Sequence, residues 1–337
     1  MTTLLIALLL FGLMIGIHEF GHLIAAKLNK VNVLEFSIGM GPKLFSFNKN
    51  GTNYSLRLLP IGGYCNMEGE NEESENDGSF SSKSPLRKIS ILSAGAIMNL
   101  LLGFVALFVI TLSSQNITST YVGKLNESAP AYNQGIKEND KILKLNGDSI
   151  HTINDINLFM GENDGEDISV TVLRDNKDKL TFTITPFFDT DRYYIGFTPK
   201  VIENNFFESV RYSFYNGFFV SKVILKSLFQ LITGGISLNE ASGPVGVVKE
   251  IGVAAKGGFF NLVYILAIIT INLGLFNLLP IPALDGGRIF FCLIELITRK
   301  KLSPKIESII HSIGLCLLLL VMVFVTFNDV FKLFSAR

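Results

Sequence analysis

Residues 13–28 read LMIGIHEFGHLIAAKL and place two histidines and a glutamate within the first long apolar run of the chain. On a helix, His18 and His22 are four residues apart, so both imidazoles project from one face and can bind one metal ion. Glu19 is the next residue and can hold a water molecule beside that ion. A membrane helix does not need these groups, and ionisable residues at that depth are costly and usually mark function.

The composition indicates a membrane protein. The 337 residues are 48% hydrophobic, and the apolar residues are concentrated in blocks. Lys+Arg and Asp+Glu are both 29, so the chain lacks the basic excess of a nucleic-acid-binding protein. Cys65, Cys292 and Cys316 are scattered without a CxxC motif, which predicts neither a disulfide framework nor a cysteine zinc site. The N-terminal apolar run lacks the basic start of a signal peptide, so we expect a retained helix.

Four apolar segments are long enough to cross a bilayer core, which requires about 20 residues. They comprise residues 3–28, 89–113, 259–279 and 306–327. Short β-prone runs between residues 31 and 63 alternate with turn signals, which predicts a small membrane-associated sheet of hairpins. The predicted turns lie at Gly39, Gly41-Pro42, Asn50-Gly51 and Gly62-Gly63.

The middle of the chain has a different character. Apolar residues alternate over 168–172 and again over 180–184, which predicts a hairpin within an inserted, water-soluble α+β domain. Residues 205–232 are apolar but carry Arg211, Lys222 and Lys226, which favours a helix along the outer membrane interface. Residues 234–258 are rich in glycine and are expected to be irregular. The expected divisions are an N-terminal membrane part (1–116), the inserted domain (117–187), the interfacial helix with its loop (188–256) and a C-terminal membrane part (257–337).

The basic residues indicate an orientation in the cell membrane. Lysines and arginines follow the first predicted span, precede the second, and recur between the last two. By the positive-inside rule these regions are cytoplasmic. The two histidines then lie in the cytoplasmic half of the first span, and the inserted domain is extracytoplasmic.

A third metal ligand must come from elsewhere, because a catalytic zinc site uses three protein ligands and leaves one position for water. Asp285 is the preferred candidate, since it follows a helix broken by prolines and precedes two glycines that permit close backbone approach. Glu295 and His311 are alternatives, the first expected at the cytoplasmic interface and the second packed near the inner end of the last span. Asp285 could instead cap a helix that starts near Gly287.

Two distant motifs resemble the site-2 protease family of intramembrane zinc metalloproteases. They are HEFGH at residues 18–22 and NLLPIPALDGG at residues 277–287. The order of elements over nearly the whole chain also resembles the bacterial members that cleave membrane-bound anti-sigma factors. The run SAGAIMN at residues 93–99 is similar to the family's small-residue stretch in the second helix, with Ala96 where proline is usual. In this run Gly95 is expected to let helices approach, and Asn99 to be structural.

The resemblance implies a Zn²⁺ site formed by His18, His22 and Asp285, with Glu19 as the general base. The implied function is cleavage of transmembrane segments in single-pass proteins already trimmed on their outer side. Anti-sigma factors and signal-peptide remnants are the implied partners, together with the lipid bilayer, and no nucleic acid is expected.

Substrate contacts are expected in two places. In the family, the sheet after the first helix is thought to pair with the substrate as an added strand, as an exposed edge can do. The expected contact residues are Asn277, Pro280, Pro282, Tyr54 and Leu56. The Asn277 amide could instead make an interhelical hydrogen bond, and the sheet could be a cap that does not touch substrate.

The run from Tyr121 to Gly147 resembles a single bacterial PDZ domain, with Asn139 where glycine is usual. Such a domain could bind a peptide end by strand addition or exclude substrates with large outer domains. Two alternative functions are a catalytically silent scaffold that presents the PDZ domain, and a metal transporter. The intact motif residues argue against the scaffold, and the second and fourth spans lack the polar residues that a transport path requires.

Overall fold

The computed structural model describes residues 2–70, 74, 76–189, 192–237, 242–300 and 303–335. The described helices are α1 Thr2–Leu28, α2 Pro85–Ser113, α3 Pro130–Asn133, α4 Ile153–Glu162, α5 Phe206–Thr233, α6 Pro244–Lys256, α7 Phe259–Leu278, α8 Asp285–Thr298 and α9 Pro304–Ser335. The described strands are β1 Val33–Lys49, β2 Thr52–Met67, β3 Asn116–Leu125, β4 Lys141–Leu145, β5 Asp148–Ser149, β6 Ile168–Arg174, β7 Asp178–Ile184, β8 Phe187–Asp189, β9 Arg192–Tyr194 and β10 Phe197–Glu203. Two compact units result: unit 1 contains Met1–Ala106 and Val223–Arg337, and unit 2 contains Leu107–Lys222.

Four helices of the described chain are long and apolar enough to cross a membrane. They are α1, α2, α7 and residues Ile306–Lys332 of α9. Their outward surfaces are rich in leucine, isoleucine, valine and phenylalanine, as lipid contact requires. The prediction of a polytopic membrane protein with about four spanning helices is therefore confirmed.

Helix α2 packs between α1 and α7 in unit 1 through small residues. A Cβ atom added at Gly21 of α1 would lie 2.4 Å from the carbonyl oxygen of Ala94 in α2. A Cβ atom added at Gly274 of α7 would lie 2.9 Å from the carbonyl oxygen of Ala96. Small residues of this kind let membrane helices approach closely. The consequence is that the carboxyl end of α7, which leads to Asp285, comes close to α1.

The sheet after α1 consists of four β segments, because β1 and β2 each fold back on themselves. Residues 35–38 have Cα partners at 53–56 on one side and at 66–63 on the other. Residues 43–49 pair with 57–52 alone. The order across the sheet is therefore 43–49, 52–57, 33–38 and 63–67. All the predicted turns fall at the reversals, and Gly39, Gly41 and Gly62 have the positive φ angles that such reversals favour.

One part of this sheet packs against helices, and the rest exposes large apolar side chains. Val33, Phe36 and Met67 are buried in a cluster with residues of α1, α2 and α8. Farther from these helices the sheet exposes large apolar side chains: Ile38, Met40, Leu44, Phe45, Phe47, Leu56, Leu58 and Leu59. An apolar surface of this extent is typical of a segment that contacts lipid or another protein.

Unit 2 contains a sheet with the strand order β10-β3-β4-β6-β7, with β5 paired to β4. The expected hairpin over 168–184 is β6 and β7. The sheet and helix α4 enclose a core that includes Ile142, Leu145 and Val170. The edge strand β10 lies beyond residue 187, so the sheet uses more of the chain than the expected inserted domain.

Asp140 and Arg174 join two parts of unit 2. Asp140 is 1% exposed and accepts hydrogen bonds from Arg174 Nε at 2.9 Å and Nη2 at 2.7 Å. Arg174 also donates to the carbonyl oxygen of Gly135. The preceding residue, Asn139, has a φ of 69°. Asparagine tolerates this left-handed conformation better than most residues other than glycine.

One segment, residues 244–256, differs from expectation. The expected irregular region 234–258 is wrong for residues 244–256, which form helix α6. Pro244 occupies the first turn of α6, where its missing N–H costs nothing. The Asp329 carboxylate of α9 accepts a hydrogen bond of 2.7 Å from the Gly246 amide in the same turn. This side-chain contact from a distant helix stabilises a helix whose own sequence reads as a loop.

Candidate metal centre

Three side chains from two distant segments converge in unit 1. His18 Nε2 lies 3.0 Å from Asp285 Oδ2, His22 Nε2 lies 3.3 Å from the same oxygen, and the two Nε2 atoms are 3.2 Å apart. Both imidazoles are buried, and the Asp285 side chain is 22% exposed. Among the described residues, His18, His22 and Asp285 are the group of His, Cys, Asp and Glu side chains whose ligand atoms lie close enough together to hold a metal ion.

The spacing of these atoms fits zinc. Tetrahedral Zn²⁺ with bonds of about 2.0–2.1 Å to nitrogen and oxygen has ligand atoms about 3.3 Å apart. The three observed distances are close to that value. Two histidines and one carboxylate are also a known donor set for catalytic zinc, which keeps its fourth position for water.

Backbone and amide groups set the tautomers of the two imidazoles. His22 Nδ1 donates to the carbonyl oxygen of Ile91 in α2 at 2.9 Å, which leaves the Nε2 lone pair free for a metal. His18 Nδ1 lies 3.3 Å from the side-chain amide of Asn99, whose Oδ1 is buried without a partner. With its amide rotated by 180°, Asn99 accepts the Nδ1 proton of His18 and satisfies that oxygen.

Asn99 therefore contacts the centre, although the sequence indicated a structural role for it. An asparagine in the second apolar span was the available signal, because buried amides in membrane helices need specific partners.

Gly95 permits α2 to lie against the imidazoles. A Cβ atom added at Gly95 would lie 2.5 Å from His22 Nε2 and 2.7 Å from His18 Nε2. These are the atoms that face the metal position. The expected role of Gly95 in helix approach thus has a specific cause: a methyl group there would overlap the ligand atoms.

Asp285 is held at the start of α8 by a tight turn. The Leu284 amide donates to the carbonyl oxygen of Ile281, with Pro282 and Ala283 between them, and Ala283 has a φ of 76°. Proline followed by a residue of positive φ is the pattern of a type II turn. Helix α8 begins at Asp285, with Leu284 as its N-cap. Asp285 is therefore not the N-cap of this helix, which removes the alternative structural role.

The glycines after Asp285 allow this turn to close. A Cβ atom at Gly286 would lie 2.0 Å from the carbonyl oxygen of Leu279, and one at Gly287 would lie 2.6 Å from that of Ile281. Any other residue at either position would push the turn away from the start of α8. The two glycines therefore determine where the Asp285 carboxylate lies.

A cavity of about 1350 Å³ opens at the centre. His18, Glu19, His22 and Asp285 line it together, so Glu19 shares the space available to water and substrate. Much of the remaining lining is polar. Charged and hydroxyl groups there include Glu70, Lys88, Arg288, Glu295, Glu307 and Ser308. Water therefore has a polar path to a site otherwise surrounded by apolar helices.

The two alternative third ligands have other partners. Glu295 Oε2 accepts from Lys88 Nζ at 3.3 Å. His311 Nδ1 accepts a hydrogen bond of 2.8 Å from the Ala283 amide. Both residues line the cavity, but neither belongs to the cluster of potential metal ligands.

The five expected substrate contacts do not lie in the cavity. Asn277, Pro280 and Pro282 are not among its lining residues. Tyr54 has Cα partners at Phe36 and Phe47, so its segment is paired on both sides and offers no free edge. Leu56 likewise has Cα partners at Ile38 and Phe45, so residues 54–56 have strand neighbours on both sides, and substrate contact at Tyr54 and Leu56 stays a prediction. The sheet residues that do line the cavity are Tyr64, Cys65, Asn66 and Met67, from the edge segment 63–67.

The chain has extensive similarity to known proteins. The sequence profile described as Peptidase family M50 matches residues 6–321. A Clostridium acetobutylicum protein whose name includes the words zinc metalloprotease is 42% identical over 330 residues, which cover 97% of each chain. The Bacillus subtilis protein named regulator of sigma-W protease RasP is 32% identical over an alignment of 421 residues, with 98% of this chain and 99% of the relative covered.

The chain belongs to peptidase family M50. This confirms the resemblance to site-2 proteases, and the protein is a metalloprotease of the membrane. A Bacillus licheniformis relative named zinc metalloprotease RasP is 31% identical and covers 99% of this chain. The cofactor of this M50 peptidase is Zn²⁺, in agreement with the donor set and spacing described above.

Proposed function

We propose that this M50 peptidase cuts the transmembrane segments of single-pass membrane proteins whose outer domains have already been removed. The observation that carries the proposal is the convergence of His18 and His22, from a helix fit to span a membrane, with Asp285 at 3.0 and 3.3 Å. Buried ionisable groups at that depth are costly unless they serve a function. A hydrolytic centre placed there reaches peptide bonds that water-soluble proteases do not.

In this proposal, His18, His22 and Asp285 hold the zinc ion and Glu19 is the catalytic base. Zinc, when bound, polarises the scissile carbonyl and acidifies the attacking water. Glu19 removes a proton from that water as its oxygen bonds to the carbonyl carbon. Glu19 then delivers the proton to the amide nitrogen while the C–N bond breaks. The carboxylates of Glu19 and Asp285 formally balance a divalent charge, which favours the site in a low-dielectric region.

The substrate binds, in this proposal, as an added strand along residues 63–67. This segment has Cα partners on one side only, at residues 38–33, and Tyr64, Cys65, Asn66 and Met67 line the cavity. A Cβ atom added at Gly63 would lie 3.4 Å from Glu19 Cγ, so the edge passes beside the base. A transmembrane helix must unwind before its carbonyls can be attacked, and pairing with a free edge stabilises the unwound form.

The substrate class is proposed from the relatives. One relative is named a regulator of sigma-W protease, which favours anti-sigma-factor-like single-pass proteins as substrates. Signal-peptide remnants have the same chemistry, a short apolar segment without a large outer domain. We place the centre in the cytoplasmic half of the membrane and unit 2 outside, because the basic residues that follow the first span, precede the second and lie between the last two make those regions cytoplasmic.

Unit 2 is proposed to contain a PDZ-type domain. The run from Tyr121 to Gly147 covers most of β3, helix α3 and strand β4. Strands β3 and β4 are neighbours in the path β10-β3-β4-β6-β7, whose edge strands are available for a peptide. Helix α5 presents a stripe of exposed Phe207, Val210, Phe214 and Phe218, while Ser213 on its other face is buried. Such an apolar stripe fits a helix that lies in the outer interface of the membrane.

The test compares wild type with Glu19→Gln. Each protein is co-expressed with a trimmed single-pass substrate to measure cleavage, and each is purified to measure zinc content. Loss of the base should lower the cleavage rate by about 100- to 10,000-fold, since that is the usual contribution of a general base. The zinc content should stay at the wild-type value, because Glu19 is not a proposed ligand. Glu138→Gln, a change at an exposed carboxylate of unit 2, is the matched control. Cleavage by Glu19→Gln at the wild-type rate would refute the mechanism.

A silent scaffold that presents unit 2 is the second candidate. Its test is the same pair of variants, because a scaffold would support the same cellular output with and without Glu19. The cavity favours the protease, since it joins a potential metal centre, a carboxylate and an open strand edge in one space.

A further inference from the structure

The Ala283 amide has its hydrogen-bond acceptor on a different helix. In the loop between α7 and α8, the Ile281 amide donates to Leu279 and the Leu284 amide donates to Ile281. The Ala283 amide instead donates to His311 Nδ1 of α9, at 2.8 Å. Because Nδ1 accepts, the proton of the neutral imidazole is on Nε2, which is buried and lies 4.0 Å from Glu307 Oε1.

Ala283 is in a conformation that alanine rarely adopts. Eight described residues other than glycine have positive φ angles: Lys30, Asn50, Asn139, Asn146, Asp175, Asn176, Ala283 and Arg299. The asparagines and Asp175 tolerate this region, Arg299 directly follows α8, and Lys30 lies two residues after the end of α1. Ala283 has no side-chain group to stabilise it, so a contact from outside the loop must do so.

Helix α9 also supports the loop by packing. A Cβ atom added at Gly314 would lie 2.4 Å from Pro282 Cβ and 2.8 Å from the Pro282 carbonyl oxygen. Gly314 follows His311 by three positions and so lies on the same face of the helix. The ring of Phe291 in α8 meets the His311 ring edge to face, with centroids 5.6 Å apart. His311 is thus fixed on one side by α8 while it holds the loop on the other.

We propose that His311 is a positioning residue for the metal centre: it fixes the Pro282-Ala283 turn and thereby the Asp285 carboxylate. Asp285 follows Ala283 by two positions, and the turn between them leaves little freedom once the Ala283 amide is held. This inference rests on the zinc ligand set proposed above. His311 touches neither the ligand atoms nor the reacting groups, so its effect passes through the backbone.

Three substitutions separate this role from a general packing role. The side-chain oxygen of asparagine occupies about the place of Nδ1, whereas the amide of glutamine extends to about the place of Nε2. His311→Asn can therefore accept from the Ala283 amide, while His311→Gln and His311→Ala should not. Ser312→Ala is the matched control, because Ser312 lines the same cavity from the same helix and its hydroxyl donates to the Ser308 carbonyl oxygen of that helix.

The first measurement is hydrogen exchange in the metal-free full-length protein. Prolines 280 and 282 carry no amide, so exchange in a peptide covering residues 279–284 reports on few positions, Ala283 among them. We expect protection at Ala283 to fall at least about tenfold in His311→Ala and His311→Gln. Protection should be close to wild type in His311→Asn and Ser312→Ala. Equal protection in all four variants would overturn the inference.

The second measurement is zinc affinity, by competition with a chelator. Loss of an outer contact that orients a ligand typically lowers metal affinity about 10- to 100-fold. We expect that loss in His311→Ala and His311→Gln, and recovery to within about threefold of wild type in His311→Asn. Equal affinities for the asparagine and glutamine variants would contradict the role. Absence of zinc binding by wild type would instead refute the proposed ligand set, which keeps the two failures distinct.

Discussion

At the scale of single residues, the centre depends on the absence of a side chain at position 95. The Cα hydrogen of Gly95 faces the two Nε2 atoms, and α2 cannot retreat without losing the Ile91 and Asn99 contacts to the imidazoles. Glycine is thus required here by close approach rather than by backbone angles. Any substitution at Gly95 should therefore weaken zinc binding, in addition to any effect on the stability of the fold.

Gly95→Ala should lower zinc affinity by about 100-fold or more, because its methyl group would overlap the Nε2 atoms of His18 and His22 that are proposed to hold the ion. Chelator competition on purified protein measures this. Gly161→Ala is a suitable control, since a Cβ atom at Gly161 meets nothing within 4 Å. Wild-type affinity in Gly95→Ala would show that α2 does not pack against the ligands as described.

Glu35 gives the sheet a predictable response to acid. Burial raises the pKa of its carboxyl, but hydrogen bonds from Ser55, Lys43 and Arg57 outweigh this and lower it to about 2. Its ordinary value is 4.5, so the stabilisation is complete above that pH and is lost as the pH falls towards 2. We expect thermal stability to decrease over this interval, and to decrease less in Glu35→Gln. An identical decrease in both proteins would show that these bonds do not stabilise the ionised form.

At the scale of elements, the buried pair in unit 2 should dominate the stability of its sheet. Removal of one partner from a buried ion pair typically costs about 3–5 kcal/mol, because the other charge stays buried and unpaired. Asp140→Ala leaves Arg174, whose side chain is 19% exposed, with its bond to the Gly135 carbonyl oxygen, so we expect a cost no greater than the lower end of that range. We expect hydrogen-exchange protection of residues 141–184 to fall sharply in this variant, whereas the exposed Asp148→Ala should leave protection unchanged. Unchanged protection in Asp140→Ala would mean that solvent screens the pair.

The open edge of the unit 1 sheet can be tested by disulfide trapping. In the Glu19→Gln background, a cysteine at Asn66 should cross-link to a cysteine near the scissile bond of a bound substrate. A cysteine at Asn48, on the opposite edge of the sheet, should not. Burial raises the pKa of the native Cys65 thiol to about 12, so it does not compete at neutral pH. Cross-linking at Asn48 and not at Asn66 would place the substrate on the edge formed by residues 43–49 and contradict the proposed pairing.

The elements that the sequence predicts well are those with local signals. An apolar run of about 20 residues predicts a spanning helix by itself, and the spacing of His18 and His22 requires only helical geometry. Helix α6 was missed because its glycines and Pro244 signal a loop, while its stability depends on packing of Ile251 and on Asp329 far along the chain. The pairing order of the sheet was missed for a similar reason, since the neighbours of Tyr54 depend on chain reversals that no local pattern ranks.

The candidate centre shows the same division. Both histidines, Glu19 and the motif around Asp285 are readable from the sequence, because each motif is short and chemically unusual in an apolar region. The contacts of Asn99 and His311 are not readable in this way. Each depends on which helix faces which, and that follows from the close approaches at Gly21, Gly95 and Gly314.

At the scale of the whole molecule, the charge distribution predicts which segments face the cytoplasm. Single cysteines at Lys177, in the turn between β6 and β7, and at Arg299, after α8, test this in a Cys316→Ser background. A membrane-impermeant maleimide should label position 177 in intact cells, and position 299 only after permeabilisation. The opposite pattern would invert the proposed topology and place the centre in the outer half of the membrane.

The two histidines and the aspartate lie 267 positions apart along the chain, from His18 to Asp285. During biosynthesis, the first ligands enter the membrane long before the ribosome has made the third, and the helix that carries His311 comes later still. An interrupted or truncated polypeptide therefore holds two imidazoles without their carboxylate. With the ligand set proposed above, hydrolytic capacity would arise only after Asp285 has been made, which would spare nascent neighbours at the insertion machinery from premature cutting.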